Sequence, residues 1–173
     1  AASDVYKRQI LYDVQTDSVI FEKNADELMS PSSMSKLMTV YYTFKKIDDG
    51  EILLSDKFLV SEKAWKKGGS KMFLKVNSYV TIEDLLRGII VQSGNDACIT
   101  IAEGFSGTES SFAEELNILA KEIGLTDSFF SNSTGWPDPD HLMSARDILK
   151  LSLKTIRDFP ALYKIYSEKE FSY

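Results

Sequence analysis

His141 is the only histidine of the chain and Cys98 the only cysteine. A Ser-His-Asp triad would have to run through His141, and no Gly-x-Ser-x-Gly elbow is present. A Cys98–His141 pair has the residue types of a thiol nucleophile and its base. Yet Cys98 lies in an apolar run with Ala97, Ile99, Ile101 and Ala102, where a buried packing residue is the better reading. One His and one Cys make no ligand cluster at zinc spacing, and a single cysteine excludes an intrachain disulfide.

That leaves Ser33-Met34-Ser35-Lys36. Serine and lysine three residues apart on a helix share a face, within reach of each other. Ser33 falls in the first turn after Pro31, where backbone N–H groups lack intrahelical partners and can help hold an oxyanion. A lysine dehydrated by Leu37, Met38 and neighbouring helices has a lowered pKa, so a neutral amine can take the hydroxyl proton. About one Ser-x-x-Lys is expected by chance in a chain this long, so the spacing alone decides little. The competing reading is a cap serine followed by a solvated lysine. In favour of the catalytic reading, the motif occurs once and opens a strongly apolar helix. Ser93-Gly94-Asn95 is the only Ser-x-Asn. A tight turn with a helix cap explains it well. Functionally, its serine can relay a proton and its asparagine amide can bond both the lysine and a substrate amide.

These residues need elements to hold them. Ile10–Val14 and Val19–Lys23 flank Gln15–Ser18 as a predicted β-hairpin. Met34, Leu37, Met38, Tyr41 and Phe44 recur at helical spacing, which predicts a helix over about Ser32–Ile47. Residues Ile52–Val80 read as mixed short pieces. Thr81 with Asp84, Ser111 with Glu114 and Ser144 with Asp147 read as caps of three further helices. A helix from Asp96, a loop over Asn132–His141, a short helix over Pro160–Ser167 and the start of a strand at Lys169–Tyr173 complete the pattern. Two hairpin strands are marginal alone, so the sheet is expected to draw further strands from beyond Tyr173.

The chain has 173 residues, 43% hydrophobic and 27% charged, with a formal net charge of −6. That is a globular composition. Without a basic run it argues against nucleic acid, which needs clustered Lys and Arg. No apolar run is long enough for a membrane span, and Ala1–Gln9 lacks the apolar stretch of a signal peptide.

Ser-x-x-Lys followed by Ser-x-Asn is the motif order of the penicillin-recognising enzymes. The chain most resembles their low-molecular-mass serine D-alanyl-D-alanine carboxypeptidases. The likeness runs from about Ile10 to Tyr173, through Phe21–Asp26, Pro31–Thr39, Ser70–Lys75, Gln92–Cys98, Ser144–Asp147 and Tyr166–Phe171. The resemblance implies an α/β (α+β) fold of the β-lactamase/transpeptidase type, an antiparallel sheet packed with a helical subdomain. It makes Ser33 the acylated nucleophile, Lys36 the general base, Ser93 the relay and Asn95 a substrate contact. It implies attack on the D-Ala-D-Ala bond of a peptidoglycan stem peptide, β-lactams as covalent inhibitors, and no metal or organic cofactor. It places the enzyme in the periplasm or on the outer face of the cytoplasmic membrane, and family members often carry a C-terminal membrane anchor.

The family's third motif, Lys-Thr-Gly, is absent. Lys154-Thr155-Ile156 lacks the glycine and falls in a predicted helix. The expectation is therefore a partial catalytic domain over residues 10–173, without its C-terminal strands and inactive by itself, preceded by a non-native or unstructured 1–9. Three rivals stand beside it. A class A β-lactamase typically has Ser-Asp-Asn and Glu-x-x-Leu-Asn, whereas this chain has Gly94 and Ala113 at the distinguishing positions. A D,D-endopeptidase uses the same residues on cross-linked substrate. A non-catalytic peptidoglycan-binding relative is disfavoured by the intact Ser33, Lys36, Ser93 and Asn95.

Overall fold

In the computed structural model, residues 7–173 are described. Of the segment expected to be non-native or unstructured, residues 1–6 lie outside the described residues. Strand β1 (Gln9–Asp13) pairs antiparallel with β2 (Ser18–Lys23). The turn between them is built on Asp13, whose carboxylate accepts the Gln15 N–H at 2.8 Å, and on Asp17 at φ 54°. Arg146 ties the hairpin to the body through ion pairs with Glu22 and Asp26.

A 3₁₀ turn, Ser32–Ser35, leads directly into α1 (Lys36–Asp48). The sequence pattern predicts one continuous α-helix here. The tighter winding of the turn, three residues per revolution, shifts the phase ahead of Lys36. Met34, expected on the apolar face, is consequently 51% exposed. Beyond it α1 buries almost every residue from Lys36 to Phe44.

Strand β3 (Lys57–Leu59) pairs with β4 (Tyr79–Thr81) around α2 (Glu62–Lys66). Helix α3 (Ile82–Gln92) starts at the expected cap, with Thr81 Oγ1 accepting the Asp84 N–H at 3.1 Å. Helix α4 (Asn95–Ser106) is the centre of the core, and every residue from Asn95 to Ala102 is buried. Apart from Asn95, Asp96 and Thr100, whose side chains are hydrogen-bonded, this stretch is apolar and belongs inside, and α1, α2, α3, α5 and β3 surround it.

Helix α5 (Glu109–Glu122) starts one turn earlier than expected. Thr108, in extended conformation, accepts the Ser111 N–H at 3.1 Å, so Ser111 is inside the helix and not its cap. Helix α6 (Ala145–Asp158) has the predicted Ser144 cap at 3.1 Å. A 3₁₀ helix, Leu162–Ser167, follows. The strand expected at Lys169–Tyr173 is absent; no neighbouring strand pairs with these residues among those described. Instead the Phe171 carbonyl accepts from Gln92 Nε2 at 2.9 Å. No helix of the described residues is long and apolar enough to cross a membrane.

Candidate active site

The 3₁₀ turn places Ser33 at the surface and Lys36 inside. Ser33 is exposed, Lys36 is only 5% exposed, and the lysine Nζ donates to Ser33 Oγ at 2.9 Å. A cap serine followed by a solvated lysine is thereby excluded: the turn has no side-chain cap bond and the lysine is largely buried. Burial pushes the Lys36 pKa down, with a smaller opposing effect from Cys98. Among the described residues no carboxylate lies within ion-pair distance of Lys36 to hold its proton. An amine in that setting loses its proton more readily than one in water.

Two backbone features aim this turn. Ser32, just before Ser33, has φ 51°, a left-handed conformation uncommon outside glycine and enriched at functional sites. The loop after α5 presses on the turn from outside. Gly135, at φ +76°, lies so close that a Cβ there would meet the Ser32 carbonyl oxygen at 1.8 Å and Ser35 Oγ at 2.6 Å. Asn132 shapes that loop internally. Its Oδ1 accepts the N–H groups of Thr134, Gly135 and Trp136 and the Thr134 hydroxyl, at 2.9–3.1 Å. Thr39, one turn beyond Lys36, donates to the Ser133 carbonyl at 2.8 Å. The loop is thus bolted to the helix that carries the serine–lysine pair.

Ser93 closes the other side. It ends α3 at φ 55°, and it lines one cleft of about 450 Å³ together with Ser33 and Lys36. Gly94 starts α4, and a Cβ there would press on the Gly88 carbonyl oxygen at 3.1 Å and the Met72 nitrogen at 3.3 Å. A side chain in the middle of this motif would be tight, and its neighbours would have to give by a few tenths of an ångström. Asn95 is brought to the same neighbourhood but not into the cleft lining. Its Nδ2 donates to the Gly68 carbonyl at 2.9 Å, which leaves the second N–H and Oδ1 for other partners. Asp96 beside it accepts the N–H groups of Met72 and Leu74 at 3.0 and 3.1 Å, holding the 70–75 segment against α4.

The rival nucleophiles are accounted for by packing. Cys98 is fully buried in α4 and its thiol is pushed up to about 12 by desolvation. His141 is 1% exposed, stands edge-on to Phe130 and accepts the Ser131 N–H through Nδ1 at 3.2 Å. Asn117, from the segment compared with Glu-x-x-Leu-Asn, bridges to the Phe130 backbone at 2.8 and 2.9 Å. Gly135, Asn132 and Trp136 were not among the expected site residues. Their signal in the sequence is the Asn-Ser-Thr-Gly turn chemistry of the loop, which marks a turn without saying what it rests on.

The fold is that of the penicillin-binding, transpeptidase-like proteins: penicillin-binding protein 5 of Haemophilus influenzae superposes with a TM-score of 0.92 and 37% identity, over 96% of this chain and 49% of that one. The family profile of D-alanyl-D-alanine carboxypeptidase, peptidase S11, matches residues 4–173, and the chain belongs to that family. The D-alanyl-D-alanine carboxypeptidase DacC of Escherichia coli is 39% identical over 170 residues, covering 95% of this chain and 42% of its own length. A D-alanyl-D-alanine endopeptidase of the same organism is more distant, at 25% over 162 residues. The chain spans about two fifths of the length of the curated carboxypeptidases it matches.

Proposed function

We propose that these residues carry the acylation machinery of a serine-type D-Ala-D-Ala carboxypeptidase acting on peptidoglycan stem peptides at the outer face of the bacterial cytoplasmic membrane or in the periplasm. Ser33 Oγ attacks the carbonyl carbon between the two terminal D-alanines while Lys36 takes its proton. The carbon–nitrogen bond breaks, the proton passes to the departing D-alanine amine through Ser93, and an ester remains on Ser33. Water then hydrolyses that ester and releases the shortened peptide. Asn95 orients the peptide backbone. A β-lactam, which imitates the terminal dipeptide, acylates the same serine.

The observation that carries this reading is the 2.9 Å contact between a buried amine and an exposed hydroxyl on one turn. The names of the relatives support carboxypeptidase over endopeptidase, the endopeptidase being the less similar. No Lys-Thr-Gly occurs in the 173 residues, so the full reaction is assigned to a protein of the relatives' length that contains them. Fluorescent penicillin provides the test. That longer protein labels covalently, Ser33→Ala abolishes the label, and monomeric pentapeptide loses D-alanine faster than a cross-linked dimer is cut. The 173-residue chain alone labels weakly. Undiminished labelling of the Ser33→Ala protein sinks the assignment.

A further inference from the structure

Four lysines, Lys63, Lys66, Lys67 and Lys71, stand within nine residues, on a segment whose Gly68 carbonyl binds Asn95, in a protein of net charge −6. Three have partners. Lys63 pairs with Glu109 at 2.8 Å, Lys66 with Glu62 at 2.5 Å, and Lys71 donates to the Trp65 carbonyl at 2.8 Å. Among the described residues Lys67 has no carboxylate at ion-pair distance. Its ammonium sits 4.0 Å from the centre of the Trp136 ring, half-buried. Burial pushes its pKa down, and the field of Glu109, a carboxylate already engaged by Lys63 and Ser133, opposes this. The aromatic face holds the charge in place without neutralising it.

The surroundings tie this cation to the site. Trp136 follows Gly135, which presses on the turn of Ser33. The same ring lies against the backbone of Gly68 and Gly69, where added Cβ atoms would meet it at 3.9 and 3.3 Å. Gly68 is also the residue whose carbonyl Asn95 binds. The loop of Gly135 and Trp136 therefore touches both the turn of Ser33 and the loop that Asn95 binds, and Lys67, itself only half-buried, is approachable from solvent.

The geometry points to a carboxylate-binding subsite formed by Lys67 and Trp136 at the rim beside Asn95, which selects a stem peptide bearing a free side-chain carboxylate over one whose side chain is amidated. This rests on the peptide-cleaving reading above. An ammonium held over a ring and lacking a counter-ion gains most from a ligand that supplies the missing charge.

Equilibrium binding in a Ser33→Ala background of the full-length protein separates the subsite from the chemistry. Three peptides ending in D-Ala-D-Ala are compared: one with both carboxylates free, one with the side-chain carboxylate amidated, and one amidated at the C-terminus. Side-chain amidation is expected to weaken binding about tenfold, the scale of one charge-assisted contact. Lys67→Gln removes that difference and Lys67→Arg retains it. In the Lys67 wild type the Trp136 indole NMR signal shifts with the free-carboxylate peptide and not with its side-chain amide, which keeps the test independent of variant folding. No preference in the wild type, a preference unchanged in Lys67→Gln, or a Lys67-dependent preference for the C-terminal carboxylate instead overturns the proposal. Loss of penicillin labelling at Ser33 with the preference intact refutes the reaction and leaves the subsite standing.

Discussion

At the scale of single residues, Lys36 sets a conflict between stability and chemistry. Its proton is held less tightly in the folded chain than in the unfolded one, because burial lowers its pKa from the ordinary 10.5. Below the folded value both states carry the charge, and the native state bears the cost of burying it. Between the folded value and 10.5 the unfolded chain binds more protons, so stability climbs with pH across that window and levels off above it. Lys36→Met removes the ionisable group and with it the cost of burying the amine. It is expected to raise stability at neutral pH by about 1 kcal/mol, to flatten the climb toward alkaline pH, and to abolish penicillin acylation. Urea unfolding at a series of pH values, beside a labelling assay, measures all three. A variant less stable than wild type at neutral pH would show that the amine contributes more through its bond to Ser33 than it costs by burial.

At the scale of elements, the loop over 132–136 packs on the turn that carries Ser33, and Gly135 is where the two meet. Both strain and space forbid a side chain there: φ is +76° and the Ser32 carbonyl oxygen is 1.8 Å from where Cβ would be. Gly124 is a natural control, with φ +81° and nothing within 4 Å. Gly124→Ala should cost about 1 kcal/mol, the price of conformation alone. Gly135→Ala should cost about 3 kcal/mol and slow acylation about 100-fold, because the turn carrying Ser33 must shift. Denaturant unfolding and acylation rates of both variants check this; equal effects on acylation would remove the loop from the positioning role.

At the scale of the whole molecule, Glu109 links distant parts. At the start of α5, it bonds Lys63 in α2 and both the N–H and the hydroxyl of Ser133. Burial pushes its pKa up, yet the bonds to Lys63 and Ser133 outweigh this and the net value falls below the ordinary 4.5. Its contribution is therefore fully present above 4.5 and is lost as pH falls through the lowered folded value. Glu109→Gln should lower stability by about 2 kcal/mol at pH 7 and make acid unfolding less steep, as calorimetry from pH 7 to 3 would show. The same scale explains what the sequence could convey. Ser33 and Lys36 are legible because their relation spans three residues, and so are the Thr81 and Ser144 caps. Gly135 and Ser32 meet across about a hundred residues, and nothing in either segment announces the other. Met34 is misjudged because a 3₁₀ turn breaks the helical period. Thr108 outcompetes Ser111 as the cap because its extended backbone ends one turn earlier. The tail at Lys169–Tyr173 has strand-like composition, but a strand exists only where another lies alongside.

The serine and the amine share one turn, and this has a bearing on inheritance. No hinge, sliding sheet or subunit slip can alter their separation, since both ride on a single short stretch of backbone. The stretch can pass as one cassette through lineages whose outer loops diverge in length and composition, and each lineage then needs only to rebuild what leans on it.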